Sequence, residues 1–147
     1  MVELRAITHD NFDDCIKLKV SEKQRDFVAT NVYSLAQAWT FYETAFPFAI
    51  YEDHSLVGFI MLGYYERQSH YNIWRFMIDE RYQGKGYGKV ALLLGIRYLV
   101  ETHGAREIFL SVVPENTVAE GLYSSVGFER TGEMSGNEVV MRLKVIV

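Results

Sequence analysis

The chain is 147 residues long and 49% hydrophobic, with 15 Lys and Arg against 19 Asp and Glu for a net charge of −4. That length suits one domain able to bury about two-thirds of its unfolded surface, and the composition excludes disorder as the general state. The acidic balance argues against non-specific binding to nucleic-acid phosphates, the single Cys15 excludes an internal disulfide, and four scattered histidines without ligand spacing predict no metal.

Positions 2–7 alternate as a short strand does, and Thr8, His9 and Asp10 supply capping side chains ahead of a weakly amphipathic helical segment carrying Phe12, Ile16 and Val20. Positions 21–33 are polar with few periodic signals. Ser34 then caps a second helix bearing Leu35, Ala38, Trp39, Tyr42 and Phe46, which Pro47 closes. Positions 48–52 and 56–65 read as strands joined through Asp53-His54-Ser55. Positions 71–79 are rich in β-formers, a glycine-dense turn follows, and an apolar-periodic run over 90–100 predicts a helix that begins about Gly86. A further strand is predicted at 108–113, a shorter helix at 116–126, and a closing hairpin of 128–134 with 139–145 around Ser135-Gly136-Asn137. The order β-α-α-β-β-β-α-β-α-β-β, without linker or repeat, predicts an α/β or α+β mixed sheet with helices on its faces, built by positions 1–147 as one domain.

No basic stretch precedes an apolar segment at the N-terminus, and no run approaches the roughly 18 apolar residues a bilayer needs, so a soluble cytoplasmic protein without membrane or nucleic-acid partner is expected. Charge is unevenly placed. Positions 1–80 hold 7 basic and 12 acidic residues, a balance of −5, and positions 81–147 hold 8 and 7, a balance of +1. The first half suits a cationic ligand, or else carries ordinary solvated carboxylates.

The strongest local signal is Gln83-Gly84-Lys85-Gly86-Tyr87-Gly88, set between a strand and a helix. First-turn N–H groups there have no intrahelical partners and the helix dipole is positive, so a phosphate can be held largely by backbone. Lys85 and Lys89 add cations. A dinucleotide fingerprint would need a third glycine where Lys89 stands, and no P-loop pattern is present. The two readings left open are an anion cradle and a merely tight turn.

Gln83, Gly86 and Gly88 match a signature of Gln or Arg, two residues, Gly, one residue, Gly or Ala, and Asn116, Tyr123 and Gly127-Phe128 supply a second pattern. On these motifs, and on element order along nearly the whole chain, the sequence resembles the GNAT N-acetyltransferases. The resemblance implies the acyl-CoA N-acyltransferase fold, acetyl-CoA as co-substrate, and direct attack by an amine on the thioester. It implies that Phe76, Met77 and Ile78 pair through their backbone with the pantetheine arm, that the turn Gln83, Gly84, Lys85, Gly86, Tyr87, Gly88 and Lys89 wraps the pyrophosphate, and that Asn116 reaches the cofactor from the last helix. A strand N–H near Ile78 would face the acetyl oxygen as it gains charge. Tyr123 would protonate the departing thiolate, a task that suits a phenol of pKa about 10; the alternative is a half-buried tyrosine packing under Phe128. Cys15 reads as a small core residue rather than a nucleophile.

A closer resemblance is to the bacterial spermine/spermidine (diamine) N-acetyltransferase branch, carried by Val20-Ser21-Glu22-Lys23-Gln24, Ser34-Leu35-Ala36, Val57-Gly58-Phe59, the run WRFMIDERYQGKGYGK from Trp74, and the Gly-Asn-Glu-Val-Val-Met ending. It implies a small-molecule amine acceptor and leaves a homodimer open. Carboxylates and aromatic faces hold ammonium groups. Candidates for the acceptor are Glu22, Asp26, Glu43 and Trp39, with Glu52, Glu66, Tyr33 and Tyr42 beside them. The attacking amine must lose a proton, yet where many relatives carry a glutamate this chain has Asn72, Ile73 and Trp74; Glu22, Glu66 or His70 could serve through water. The alternatives are acetylation of a protein N-terminus or an aminoglycoside, and a non-catalytic acetyl-CoA sensor.

Overall fold

Val57 to Gly63, within the apolar run of residues 56–65, is buried on both sides and lies in an inner strand of a seven-stranded sheet. A run that is apolar without alternation suits a strand covered on both faces. The computed structural model describes residues 1–146 in the order β1 (Val2–Ala6), α1 (Phe12–Lys17), α2 (Asn31–Thr40), β2 (Ala45–Glu52), β3 (Ser55–Tyr65), β4 (His70–Ile78), α3 (Tyr87–His103), β5 (Glu107–Val112), α4 (Thr117–Ser125), β6 (Glu129–Ser135) and β7 (Glu138–Lys144). Single 3₁₀ turns stand at Glu22–Gln24 and Glu80–Tyr82. This is the expected element order, in an α+β sheet arranged β1-β2-β3-β4-β5-β7-β6.

Each face has its own core. On one, Ile50, Ile60 and Leu62 meet Ala91, Leu92 and Leu99 of α3 and Tyr123 of α4. On the other, Phe59, Met61 and Met77 meet Cys15 and Leu18 beside α1 and Ala38 of α2. Helix α3 comes close to the sheet because position 95 is glycine: a Cβ there would stand 2.9 Å from Ile60 Cδ1. Among the described residues no helix is long and apolar enough to cross a membrane.

Two features of the sheet open a site. All neighbouring strands run antiparallel except β4 and β5, whose parallel pairing is confined to Tyr71 with Ile108 and Asn72 with Phe109. From Ile73 onward the edge of β4 that faces β5 has no strand partner. On its other edge β4 carries a bulge: Met61 pairs with Arg75 and Leu62 with Ile73, leaving Trp74 as the extra residue.

The structure corrects three local expectations. The cap of α1 is Asn11, while Thr8 and Asp10 order the turn before it (Thr8 N–H to Asn11 Oδ1, 2.8 Å; Asp10 N–H to Thr8 Oγ1, 3.2 Å), and the helix ends at Lys17, before Val20. The cap of α2 is Thr30, which accepts from the Tyr33 N–H at 3.1 Å; Ser34 is buried inside the helix, its hydroxyl donating to Thr30 O. That helix stops at Thr40, where the Phe41 carbonyl gathers the N–H groups of Thr44 and Ala45 at 2.8 Å each. Phe46 and Pro47 therefore belong to β2. Pro47 is tolerated because β1 pairs only as far as Ala6 with Phe48, so one side of β2 is open at the proline.

Candidate active site

The wedge between β4 and β5 is a cleft of about 560 Å³. One wall is β4 itself, residues 73–78, with its free backbone edge. At the end of that strand Asp79 is buried, and its carboxylate accepts from the Lys19 N–H at 3.0 Å, the Arg81 N–H at 3.0 Å and Arg81 Nε at 2.8 Å. Burial alone would raise its pKa, but these donors outweigh that and hold the carboxyl below the usual range. Asp79 thus fixes the turn and ties it to the segment after α1.

Gln83 completes the turn. Its Nε2 donates to the Ile78 carbonyl at 2.8 Å and to Gln24 Oε1 at 2.9 Å, so one side chain joins the strand end to the 3₁₀ turn at Glu22–Gln24. Gly86 is the N-cap of α3 with φ +85°, a conformation L side chains rarely adopt, and no side chain caps the helix. A Cβ at Gly86 would meet no protein atom within 4 Å. The uncapped first turn of a 17-residue helix therefore opens into the cleft. Gly84, Tyr87, Gly88 and Lys89 also line it, whereas Lys85 is exposed and outside the wall.

From the β5 side, Asn116 caps α4, its Oδ1 accepting from the Ala119 N–H at 3.4 Å, and lines the cleft. Tyr123 also lines it and is 8% exposed. Its ring lies 6.4 Å from that of Phe76 and 6.0 Å, edge to face, from that of Phe128. The two readings of Tyr123 are thus not exclusive: it packs under Phe128 and faces the wedge. Burial pushes its pKa up strongly, so the phenol stays protonated across the ordinary pH range. Cys15 is buried in the opposite core and its thiol is pushed up to about 11 by desolvation, which leaves it unreactive.

Other parts of the cleft wall come from distant segments: Phe27, Val28 and Ala29 of the α1–α2 connection, Trp74 and Arg75 of β4, and Glu138 of β7. The Trp74 indole lies against Gly63, where a Cβ would stand 2.6 Å from the ring; Phe41 meets it edge-on at 5.5 Å and Tyr65 stacks on it at 4.9 Å. Arg75 donates to the Trp74 carbonyl at 2.8 Å and to Gln37 Oε1 at 3.0 Å.

Of the residues singled out in the sequence, 76–78, Gln83, Gly84, 86–89, Asn116 and Tyr123 line the cleft, whereas Trp74, Arg75 and Glu138 line it without having been singled out. Glu22, Asp26, Glu43 and Trp39 are exposed, Trp39 at 77%, and stand outside the cleft wall. Glu22 and Asp26 flank the wall residues Gln24 and Phe27, which places them on its outer rim. His70 stacks on the Phe109 ring at 3.8 Å, and Glu66 is exposed in the β3–β4 turn; neither lines the cleft. Trp74, Arg75 and Glu138 all fall in segments that carry the family resemblance, but nothing in their spacing assigns them a shared surface.

A model of the acetyltransferase (GNAT) family matches residues 9–128. The chain is 35% identical to a spermine/spermidine N(1)-acetyltransferase of Bacillus subtilis (strain 168), over 92% of this chain and 93% of that protein. A probable spermine N(1)-acetyltransferase of Bacillus subtilis subsp. natto is 34% identical over the same shares. Among solved structures, the fold is similar to that of a spermidine N-acetyltransferase from Vibrio cholerae in complex with CoA and spermine, at TM-score 0.77 and 18% identity, covering 98% of this chain and 94% of that one. It is also similar to the PaiA N-acetyltransferase of Thermoplasma acidophilum in complex with coenzyme A, at TM-score 0.71 and 18% identity, covering 99% of each chain.

Proposed function

This chain belongs to the acetyltransferase (GNAT) family as an acetyl-CoA-dependent N-acetyltransferase, and from that premise we propose that its acceptor is a primary amine of a polyamine, spermine or spermidine. The observation that carries the site is the unpaired edge of β4 running directly into an uncapped helix N-terminus with open space at Gly86. An extended chain that hydrogen-bonds like a strand and ends in a pyrophosphate fits both parts at once. Bound there, acetyl-CoA supplies an acetyl group activated as a thioester.

The remaining chemistry belongs to this chain. Backbone groups of residues 76–78 take the pantetheine arm, and Gln83, the glycines and Lys89 hold the pyrophosphate while Asn116 flanks it. An N–H of the open β4 edge stabilises the acetyl oxygen as charge builds on it. Tyr123 donates its hydroxyl proton in a hydrogen bond to the departing sulfur. Its raised pKa keeps the hydroxyl protonated and available to the departing sulfur. The buried ring also keeps water off the sulfur.

The polyamine reading is supported by the two Bacillus subtilis relatives and by the aromatic Trp74 in the cleft wall, since aromatic rings attract ammonium groups. It is tested by steady-state CoA release with spermine, spermidine, diamines, peptide N-termini and aminoglycosides. Spermine or spermidine should give the highest kcat/KM. A higher value for a peptide or an aminoglycoside transfers the assignment to that class, and CoA binding without release in any case makes the protein a sensor.

A further inference from the structure

A cleft that transfers acetyl groups to an amine needs something to receive a cation, and Glu138 is the one carboxylate side chain among the described residues of its wall. Glu138 opens β7. It pairs with Ser135 across the turn, and its neighbour Val139 stands opposite Val112. Residue 138 therefore sits beside the end of β5, where β5 has parted from β4 and the wedge is widest. It is half-buried, sheltered by the wall yet open to the space between the strands.

Trp74 and Arg75 line the same cleft, and Tyr65, outside its wall, stacks on the Trp74 ring at 4.9 Å. The Tyr65 phenol is raised in pKa by burial most, lowered by the Arg75 cation and raised by the Glu138 anion, so both charges act on the hydroxyl of the ring stacked on Trp74. Among the described residues Arg75 has no carboxylate within salt-bridge distance; a carbonyl and an amide oxygen hold it in place. An ammonium entering the cleft is repelled by Arg75 and attracted by Glu138.

We propose that Glu138 is the acceptor-binding residue of this enzyme, receiving the cationic amine in the cleft that Trp74 also lines. The proposal rests on the reading of the wedge as an amine acetylation site and adds to it a named anchor, remote in sequence from the acidic N-terminal half. The test compares wild-type protein with Glu138→Gln and Glu138→Asp, by calorimetric titration of spermidine into the CoA-saturated protein and by steady-state kinetics. Glu138→Gln should weaken spermidine binding and raise its KM about ten-fold or more, the loss expected for a charge-assisted contact. Glu138→Asp should recover part of that loss, and KM for acetyl-CoA should stay within two-fold in both. Spermidine affinity unchanged in Glu138→Gln, with CoA affinity intact as proof of folding, overturns the proposal. Should the wild type turn over another primary amine but neither polyamine, the polyamine reading fails alone. The same comparison on that amine then decides Glu138, an unchanged KM again overturning it.

Discussion

The two ends of the cleft are built on different principles. The proposed cofactor site rests mainly on one contiguous stretch, β4, the turn and the start of α3, with Asn116 and Tyr123 beside it, and its binding groups are mostly backbone; the proposed acceptor site draws on side chains of residues 74, 75 and 138. A backbone site is specified by conformation, so a few residues that permit the conformation suffice. A side-chain site is specified by which segments the fold brings together. The first tolerates many neighbours but few changes at its glycines, and the second can be retuned one residue at a time without touching the first.

The largest effect expected from this contrast is at Gly86. Gly86→Val places a branched side chain at φ +85° and into the space before α3, so acetyl-CoA affinity measured by calorimetry should fall by more than about a hundred-fold. The fold should survive with a loss of roughly 1–2 kcal/mol, since no protein atom lies within 4 Å of the added Cβ. Unchanged affinity in the folded variant would remove the pyrophosphate from this turn. Tyr123→Phe comes next. It keeps the ring under Phe128 and removes one donor, so kcat should drop by on the order of a hundred-fold, the low end for proton-donating groups, while acetyl-CoA affinity stays within about two-fold. Full turnover across pH would hand the role to water.

Asp79 ties the turn to the segment after α1, and its effect appears in stability. Its pKa is lower folded than unfolded, so its contribution is fully present above the unfolded value near 3.8 and is lost as pH falls through the folded value. Asp79→Asn should lower stability by about 2 kcal/mol near neutral pH, a fall of roughly 4–8 °C in Tm. The gap from wild type should close below about pH 4. A gap that persists unchanged to pH 3 would mean that packing, not charge, holds the turn. The smallest effect is at the rim: neutralising Glu22 and Asp26 together should raise the amine KM only two- to three-fold, and raising the salt should abolish the difference, because exposed charges are screened over about 8–10 Å. A rise larger than that of Glu138→Gln would move the acceptor to the N-terminal segment.

The same contrast explains what could be read in advance. The strand, glycine turn and helix of the cofactor end lie within residues 70–103, and local patterns fix them. The second helix was harder. Tyr42 and Phe46 continue its apolar spacing, so periodicity carries past Thr40, while the hydrogen bonds to the Phe41 carbonyl that end the helix leave no mark in composition. Pro47 looks like a stop signal, and only the short reach of β1 makes it acceptable in a strand. Glu138 lies more than sixty positions from Trp74, and their sharing one cleft depends on β7 lying between β5 and β6. The count of acidic residues pointed to the N-terminal half because composition weighs charge by its place in the chain, whereas the cleft weighs it by distance.

The parting of β4 and β5 also makes the sheet an incomplete ladder. Two rows of peptide donors and acceptors face the gap, and in the free protein water must satisfy them. A ligand lying in the gap replaces that water along β4 and joins the sheet's two halves, so binding acts as a final folding step. Anything that binds only the folded form stabilises it by mass action, about 2.7 kcal/mol at a concentration one hundred times its Kd. With the co-substrate bound as proposed, resistance of this protein to heat and proteolysis is coupled to its supply, and slow exchange of those amide protons of residues 73–78 that face the gap, the others being held by β3, becomes a property of the liganded sheet.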